Sequence, residues 1–313
     1  MKKIIFAFAF SFVGFTSVQA QAPVDTTWKT GGYFAVNLSQ TQFNNWAGGG
    51  ENSLAINGML NVFCNYKVEK TTWENALDLG YGMVKLSNNP LRKSDDKIEL
   101  NSKYGRLAKG KFFYSGMLNF KSQFAPGYNY PDDSNNISKF LAPAYLIIAI
   151  GMDYKPCDYF SVFLSPATGK FTFVNDAAIA DAGLYGNKPA YFDSSANKLI
   201  HGKKFRAEFG ASLSAKFQKD IFKNVNLMTK LNLFNNYTDK DAANRKNIDV
   251  NFEGLITMKV NKFLSASIFA NLIYDDNILI PIYSELNGIK TQTGTGKRVQ
   301  IKDVIGIGLA YKF

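Results

Sequence analysis

His201 is the one histidine of this 313-residue chain, and Cys64 and Cys157 are its two cysteines. A single imidazole excludes a multi-histidine metal centre and leaves at most one residue for general-base work near neutral pH. His201 stands beside Gly202, Lys203 and Lys204 in a long polar stretch, and is read as a solvated loop residue. A lipid-cleaving site would need a serine, this histidine and a further polar residue gathered on one strand face, and the sequence shows no such grouping. No catalytic, metal-binding or cofactor-binding residue is therefore assigned. "SPATGKF", Ser165 to Phe171, has the Gly-Lys of a phosphate loop, without the G-x-x-x-x-G-K-[ST] spacing or the helix that should follow. It is assigned to a long loop from Ala167 to Lys203 that folds over or into the mouth of the domain. Within that loop "FTFVND" can extend as a strand, and Asp176 is placed to cap a short helix, Ala177 to Ala182, ended by Gly183. A connection of this length is the first functional candidate. The second is "NNWAGGGENS", where Gly48, Gly49 and Gly50 make a tight turn beside Trp46; a structural role for the turn is favoured over an exposed binding platform.

The remaining chemistry is charge at a spacing of two. Lys67, Lys97, Lys103, Lys121, Arg206, Lys216, Lys230, Lys259 and Lys302 fall on one face of alternating segments, together with Glu74, Asp78, Glu99, Asp153, Glu208, Asp249 and Glu253. In a strand, alternate residues point to opposite faces. These charges then share a wall whose reverse side is apolar, and they either line a wet channel or pair and close it.

The elements that must position them are strands. Leu54, Ile56, Leu60, Val62 and Tyr66 oppose Asn57, Asn61, Asn65 and Lys67. Ile305, Ile307, Leu309, Tyr311 and Phe313 oppose small or polar residues. About twelve such segments begin near residues 29, 53, 72, 97, 112, 138, 159, 204, 224, 248, 263 and 298. Short links, Glu69 to Thr71, Lys109 to Lys111, Lys155 to Asp158, Lys219 to Lys223 and Asn261-Lys262, alternate with long polar ones. The long links are Gln40 to Asn52, Ser87 to Asp96, Ala125 to Ile137, Ala167 to Lys203, Tyr237 to Asn247 and Asp276 to Lys297. Aromatic residues gather at the short links: Tyr66, Trp73, Tyr114, Tyr154, Phe160, Phe217, Phe263 and Phe313. An even strand count, short turns on one rim, long loops on the other and an aromatic girdle are the signature of an all-β transmembrane antiparallel barrel of the outer membrane. In this register Cys64 faces lipid and Cys157 lies in the turn after the sixth strand, too far apart for a disulfide; two free thiols are expected.

Residues 1–20, with Lys2 and Lys3 ahead of an apolar run and Val18-Gln19-Ala20 behind it, read as a cleaved signal peptide, leaving 21–313 as one domain. Without it the chain keeps 34 Lys+Arg against 25 Asp+Glu, about +9. The basic residues are scattered among acids, which argues against a nucleic-acid partner. The longest apolar run, Ala144 to Met152, is too short for a membrane helix and long enough for a membrane strand. Gly308, Tyr311 and Phe313, spaced G-x-x-aromatic-x-aromatic, resemble the C-terminal signal read by barrel-insertion machinery; Gly306 departs from the usual polar residue there.

The stretches "WKTGGYFAVNLSQTQFNNWAGGGENSLAINGMLNVFCNYK" and "FLSPATGKFTFV" resemble a family of uncharacterised Bacteroidota-type outer-membrane β-barrels. The resemblance implies the barrel and the outer membrane of a Gram-negative cell, and assigns no activity. The expected function is a non-enzymatic narrow pore for small polar or anionic solutes, narrowed by the loop from Ala167 to Lys203. The alternative is a plugged barrel serving as a structural or accessory subunit of a larger outer-membrane assembly. Membrane lipid and the insertion machinery are the expected partners.

Overall fold

A computed structural model describes residues 27–42, 52–87, 89–130, 132–261, 264–286 and 289–313. Residues 1–20, Trp46, the three glycines 48–50 and Phe263 lie outside the described residues. Twelve strands form a closed antiparallel barrel: β1 (Trp28–Thr41), β2 (Ser53–Val68), β3 (Thr71–Leu86), β4 (Arg92–Lys109), β5 (Phe112–Ser122), β6 (Ala144–Cys157), β7 (Phe160–Phe173), β8 (Phe205–Phe222), β9 (Val225–Asn236), β10 (Ile248–Lys259), β11 (Leu264–Tyr274) and β12 (Gln300–Lys312). Each pairs with its neighbours in the chain, and β12 returns to β1 with Tyr33 opposite Lys312 and Asn37 opposite Gly308. Closure matters because an open edge in lipid would leave a row of backbone groups without partners. The seam ends on two backbone hydrogen bonds, Gly32 N–H to Phe313 O at 3.0 Å and Phe313 N–H to Gly32 O at 3.1 Å.

One rim carries tight turns, such as Glu69-Lys70 and Gly110-Lys111, with φ of 42° at Glu69 and 59° at Gly110. The other carries the long connections, which hold the small elements: the helix Ala177–Ala182, the paired segments Tyr191–Asp193 and Lys198–Ile200, and the hairpin Leu279–Leu286 with Ile289–Lys297. Several sequence expectations shift: the links expected from Lys155 to Asp158 and from Lys219 to Lys223 shrink, because β6 runs to Cys157 and β8 to Phe222. The link expected from Ser87 to Asp96 is short, because β4 already begins at Arg92. The strand expected near residue 138 begins at Ala144. The loop expected from Ala167 begins at 174, because β7 runs through to Phe173.

The outer wall is apolar. Ile301, Ile305, Ile307, Leu309 and Tyr311 on β12, and Phe313 just after it, are exposed outward, with Ile305 76 % exposed. Leu54 and Ile56 on β2, Ile148 and Ile150 on β6, and Leu164 on β7 do the same. Such a surface is stable only against hydrocarbon. Aromatic pairs ring the short-turn end: Trp28 with Tyr66 and Trp73, Phe112 with Tyr154, Tyr159 with Phe217, and Tyr311 with Phe313. Both cysteines are free thiols, and Cys157 is the last residue of β6 rather than part of the turn.

Candidate functional site

The inward face of the wall is polar, and its charges meet in three tiers. At the short-turn end, Lys103 Nζ of β4 lies 2.7 Å from the fully buried Asp153 carboxylate of β6 and 3.5 Å from Glu74 of β3. Lys155 of β6 bonds Glu74 and lies 3.4 Å from Asp153. Two cations thus share two carboxylates, which compensates the desolvation of Asp153 better than one partner would.

The middle tier spans the barrel. Lys97 Nζ of β4 is 2.8 Å from Glu99 on its own strand and 3.3 Å from Glu253 of β10. Lys121 of β5 also lies between Glu99, at 3.3 Å, and Glu253, at 3.7 Å. Lys230 of β9 reaches Asp78 of β3 at 3.5 Å, and Asp78 also accepts from Asn61 at 2.6 Å. β4 and β10 stand six places apart around a twelve-strand ring, as do β3 and β9. These two pairs therefore join opposite walls. Asn119 of β5 donates to Glu99 at 2.9 Å and to Asn101 at 2.6 Å, which holds the tier in one arrangement.

At the long-loop end, Lys170 of β7 sits among Asp249 at 2.8 Å, Asp275 at 3.0 Å and Glu208 at 3.9 Å. Arg206 of β8 bonds Glu208 at 2.5 Å and the Asn277 side chain at 2.6 Å. Nearby, Lys302 bonds Asp95, and a cavity of about 320 Å³ opens beside them, lined by Lys93, Asp96, Tyr128 and Tyr130.

Of the charged residues singled out in the sequence, Glu74, Asp78, Lys97, Glu99, Lys103, Lys121, Asp153, Arg206, Glu208, Lys230, Asp249, Glu253 and Lys302 meet in these tiers. Lys67 and Lys259 do not. They are exposed near the short-turn ends of β2 and β10, and neither has an ion pair among the described residues. Lys216 stands opposite Lys230 in the β8–β9 register, also without an ion pair among the described residues. Lys155, Lys170, Asp95 and Asp275 join the network although sequence reasoning left them out. Lys170 was missed because the expected loop began at Ala167 and took it in; β7 instead runs on to Phe173, past a bulge where Ser165 and Thr168 turn to the same side, their hydroxyls 2.9 Å apart. Counting backward from Phe173, with Phe171 on its face and Thr172 and Lys170 on the other, recovers the parity.

The loop 174–204 packs over the mouth. Ala142, Val174, Ile179 and Ala180 form its buried core, with Tyr185 against them. Asp176 accepts from the Ile179 N–H at 2.9 Å and caps the helix, and Gly183 ends it at φ 68°, as the sequence implies. Asp176 is held below the usual carboxylate range by its bond to Lys139, then by that backbone N–H. Asp181 is lowered by its bond to His201 and by the Gly202 N–H. Burial pushes the Tyr185 hydroxyl up to about 12, and that hydroxyl donates to Ile137 O at 2.7 Å. Gly186 lies against the Arg206 guanidinium, which brings the loop down to the uppermost tier. No group of three or more potential metal ligands occurs among the described residues.

Residues 38–128 match a family model described as "Protein of unknown function (DUF3078)". That span overlaps the first of the two stretches that carry the resemblance and leaves the second, Phe163 to Val174, outside it. No curated protein matches the chain. Among solved structures, the chain is similar to an outer membrane channel from Pseudomonas putida F1, with 14 % identity, a TM-score of 0.39, and coverage of 93 % of this chain and 99 % of that one. It is also similar to the NanC porin, with 8 % identity, a TM-score of 0.36, and coverage of 90 % and 99 %. The translocator domain of the autotransporter NalP from Neisseria meningitidis gives 9 % identity, a TM-score of 0.34, and coverage of 92 % and 89 %. At such identities and TM-scores these likenesses say nothing of what this chain passes or binds. Its own geometry, with twelve strands closed on themselves, an apolar outer wall, a charged interior, and turns and loops sorted to opposite rims, makes it an outer-membrane β-barrel.

Proposed function

We propose that the barrel is a narrow pore for small polar or ionic solutes, held nearly shut at mid-height by ion pairs that cross it. The observation that supports this reading is the contact of opposite walls through Lys97–Glu253 and Lys230–Asp78. Lys97, Lys121 and Lys230 keep between 21 % and 31 % of their side chains exposed, so the constriction is wet and its pairs can exchange for a passing ion. Positive and negative groups alternate along it, which weakens the anion preference expected from the sequence. The test is conductance of the refolded chain in a planar bilayer, wild type against Glu253→Gln with Asp78→Asn. The double variant is expected to conduct more and to favour anions, because two lumen carboxylates are gone. Unchanged conductance from protein shown to be folded would overturn the reading.

A second reading, a plugged barrel working through its surface as an accessory subunit, draws on the folded cap of 174–204 and the projecting hairpin Leu279–Leu286 with Ile289–Lys297. Recovery of a stoichiometric partner from detergent-solubilised membranes, with no conductance, would favour it. Catalysis is not part of either reading: His201 pairs with Asp181 at 2.9 Å, and no hydroxyl is bonded to it among the described residues.

A further inference from the structure

We infer that the outer wall carries a seat for one anionic lipid, with an acyl chain in an apolar groove between β5 and β8 and the phosphate at Lys204. The groove is a cavity of about 640 Å³ lined by Phe120, Leu141, Ala144, Leu146, Phe173, Asn175, Lys204 and Phe205. Strand parity places its wall residues on the lipid side. Phe120 is in step with Tyr114 and Leu118, Leu146 with Ile148 and Ile150, and Phe205 with Phe209, all of them exposed outward. The depth comes from Ala144, a small floor between the larger Phe120, Leu146 and Phe173. The roof comes from the loops. Asn175 N–H bonds Leu141 O at 2.9 Å and Val174 N–H bonds Lys204 O at 2.8 Å, which stitches three chain segments across the upper lip. Phe173 and Phe205 stand 5.2 Å apart at one side.

The charge at the lip selects the occupant. Lys204 is exposed and has no ion pair among the described residues. Of the neighbouring carboxylates, Asp176 bonds Lys139, and Asp181 bonds His201 and the Gly202 N–H and feels Lys204 only through a weaker charge attraction. An exposed cation outside any close ion pair among the described residues, above an apolar slot at the long-loop end of a membrane-facing wall, complements an amphiphile with a phosphate above its acyl chain. This seat is independent of whether the lumen conducts.

The test is native mass spectrometry of the full chain in detergent, titrated with dioleoyl phosphatidylglycerol or dioleoyl phosphatidylcholine. The wild type is expected to retain one phosphatidylglycerol, favoured over phosphatidylcholine about fivefold. Lys204→Glu should lose that preference, and Ala144→Trp should lose retention of both lipids while keeping the gel mobility of a folded barrel. Equal retention of the two lipids by the wild type overturns the proposal, and so does an undiminished preference in Lys204→Glu. Retention unchanged by Ala144→Trp overturns the acyl seat and leaves the groove to a protein partner. Should the tryptophan variant fail to fold, the lysine variant, altered only in an exposed loop residue, still decides.

Discussion

Glu253 is, with Glu99, one of two acids on which the middle tier converges, and the one that Lys97 and Lys121 reach from across the lumen. Replacing it with glutamine leaves each lysine with Glu99 alone, so the loss is partial. Glu253→Gln is expected to cost about 1 to 3 kcal/mol, read as a lower urea midpoint for unfolding from vesicles. An unchanged midpoint would mean the cross-lumen contacts are replaced by water at no cost. At the loop, Asp176→Ala removes a helix cap and the Lys139 partner together. Local destabilisation of about 1 kcal/mol is expected, seen as faster proteolytic nicking within 174–204 while the barrel stays folded. The same carboxyl fixes a pH response. Asp176 and Asp181 both titrate lower in the folded loop than in the open chain, so their contribution is complete above about pH 4 and is lost as pH falls through their folded values. Nicking by an acid-tolerant protease should therefore be flat from neutral pH down to about 5 and should rise only below about 4. A rise already near pH 6 would assign the response to another group.

Among the elements, β12 bears the most on whether a barrel forms at all. A Cβ at Gly308 would fall 2.2 Å from Val36 O and 2.3 Å from the Asn37 side-chain oxygen, so the β12–β1 seam closes only around a glycine. Gly308→Val is expected to abolish the heat-modifiable mobility of the folded barrel on gels, whereas Gly116→Ala on β5, where a Cβ would meet nothing within 4 Å, should leave it intact. Replacing Tyr311 and Phe313 would act differently: it removes an exposed aromatic pair and leaves the two terminal backbone hydrogen bonds to Gly32 available. If these residues also carry the insertion signal, Tyr311→Ala with Phe313→Ala should lower assembly in cells more than refolding in detergent. Equal losses in both would reduce their role to closure.

For the whole molecule, the question is where the lumen is narrowest. The sequence reading placed the narrowing in the loop beginning at Ala167; the ion pairs place a second one at mid-height, below the contact of Gly186 with Arg206. Deleting 177–200 while keeping the barrel separates the two. If the crossing pairs set the conductance, the deletion should change it by less than about twofold, and adding Glu253→Gln should then open the pore further. A large rise from the deletion alone would assign the gate to the loop.

The alternation of apolar and polar residues put the strand count near twelve and set the sidedness of the wall and the sorting of turns from loops, because a period of two has one meaning in a closed membrane sheet. The helix at Ala177–Ala182 was legible for a related reason: an Asp cap and a left-handed Gly stop are local chemistry. What alternation cannot carry is distance across the lumen. It put Lys97, Glu253, Lys230 and Asp78 on the same face, but their meeting depends on how the ring closes and how wide it is, which no single strand encodes. It also stopped short at β7, where the bulge interrupts the pattern and Lys170 was assigned to the loop although the strand continues to Phe173. The lateral groove was invisible to it altogether, since Ala144, Phe120 and Phe205 come from strands and a loop lip that only the folded wall sets side by side. Local pattern thus determined the architecture, and tertiary closure decided which charges meet and what stands open to the membrane.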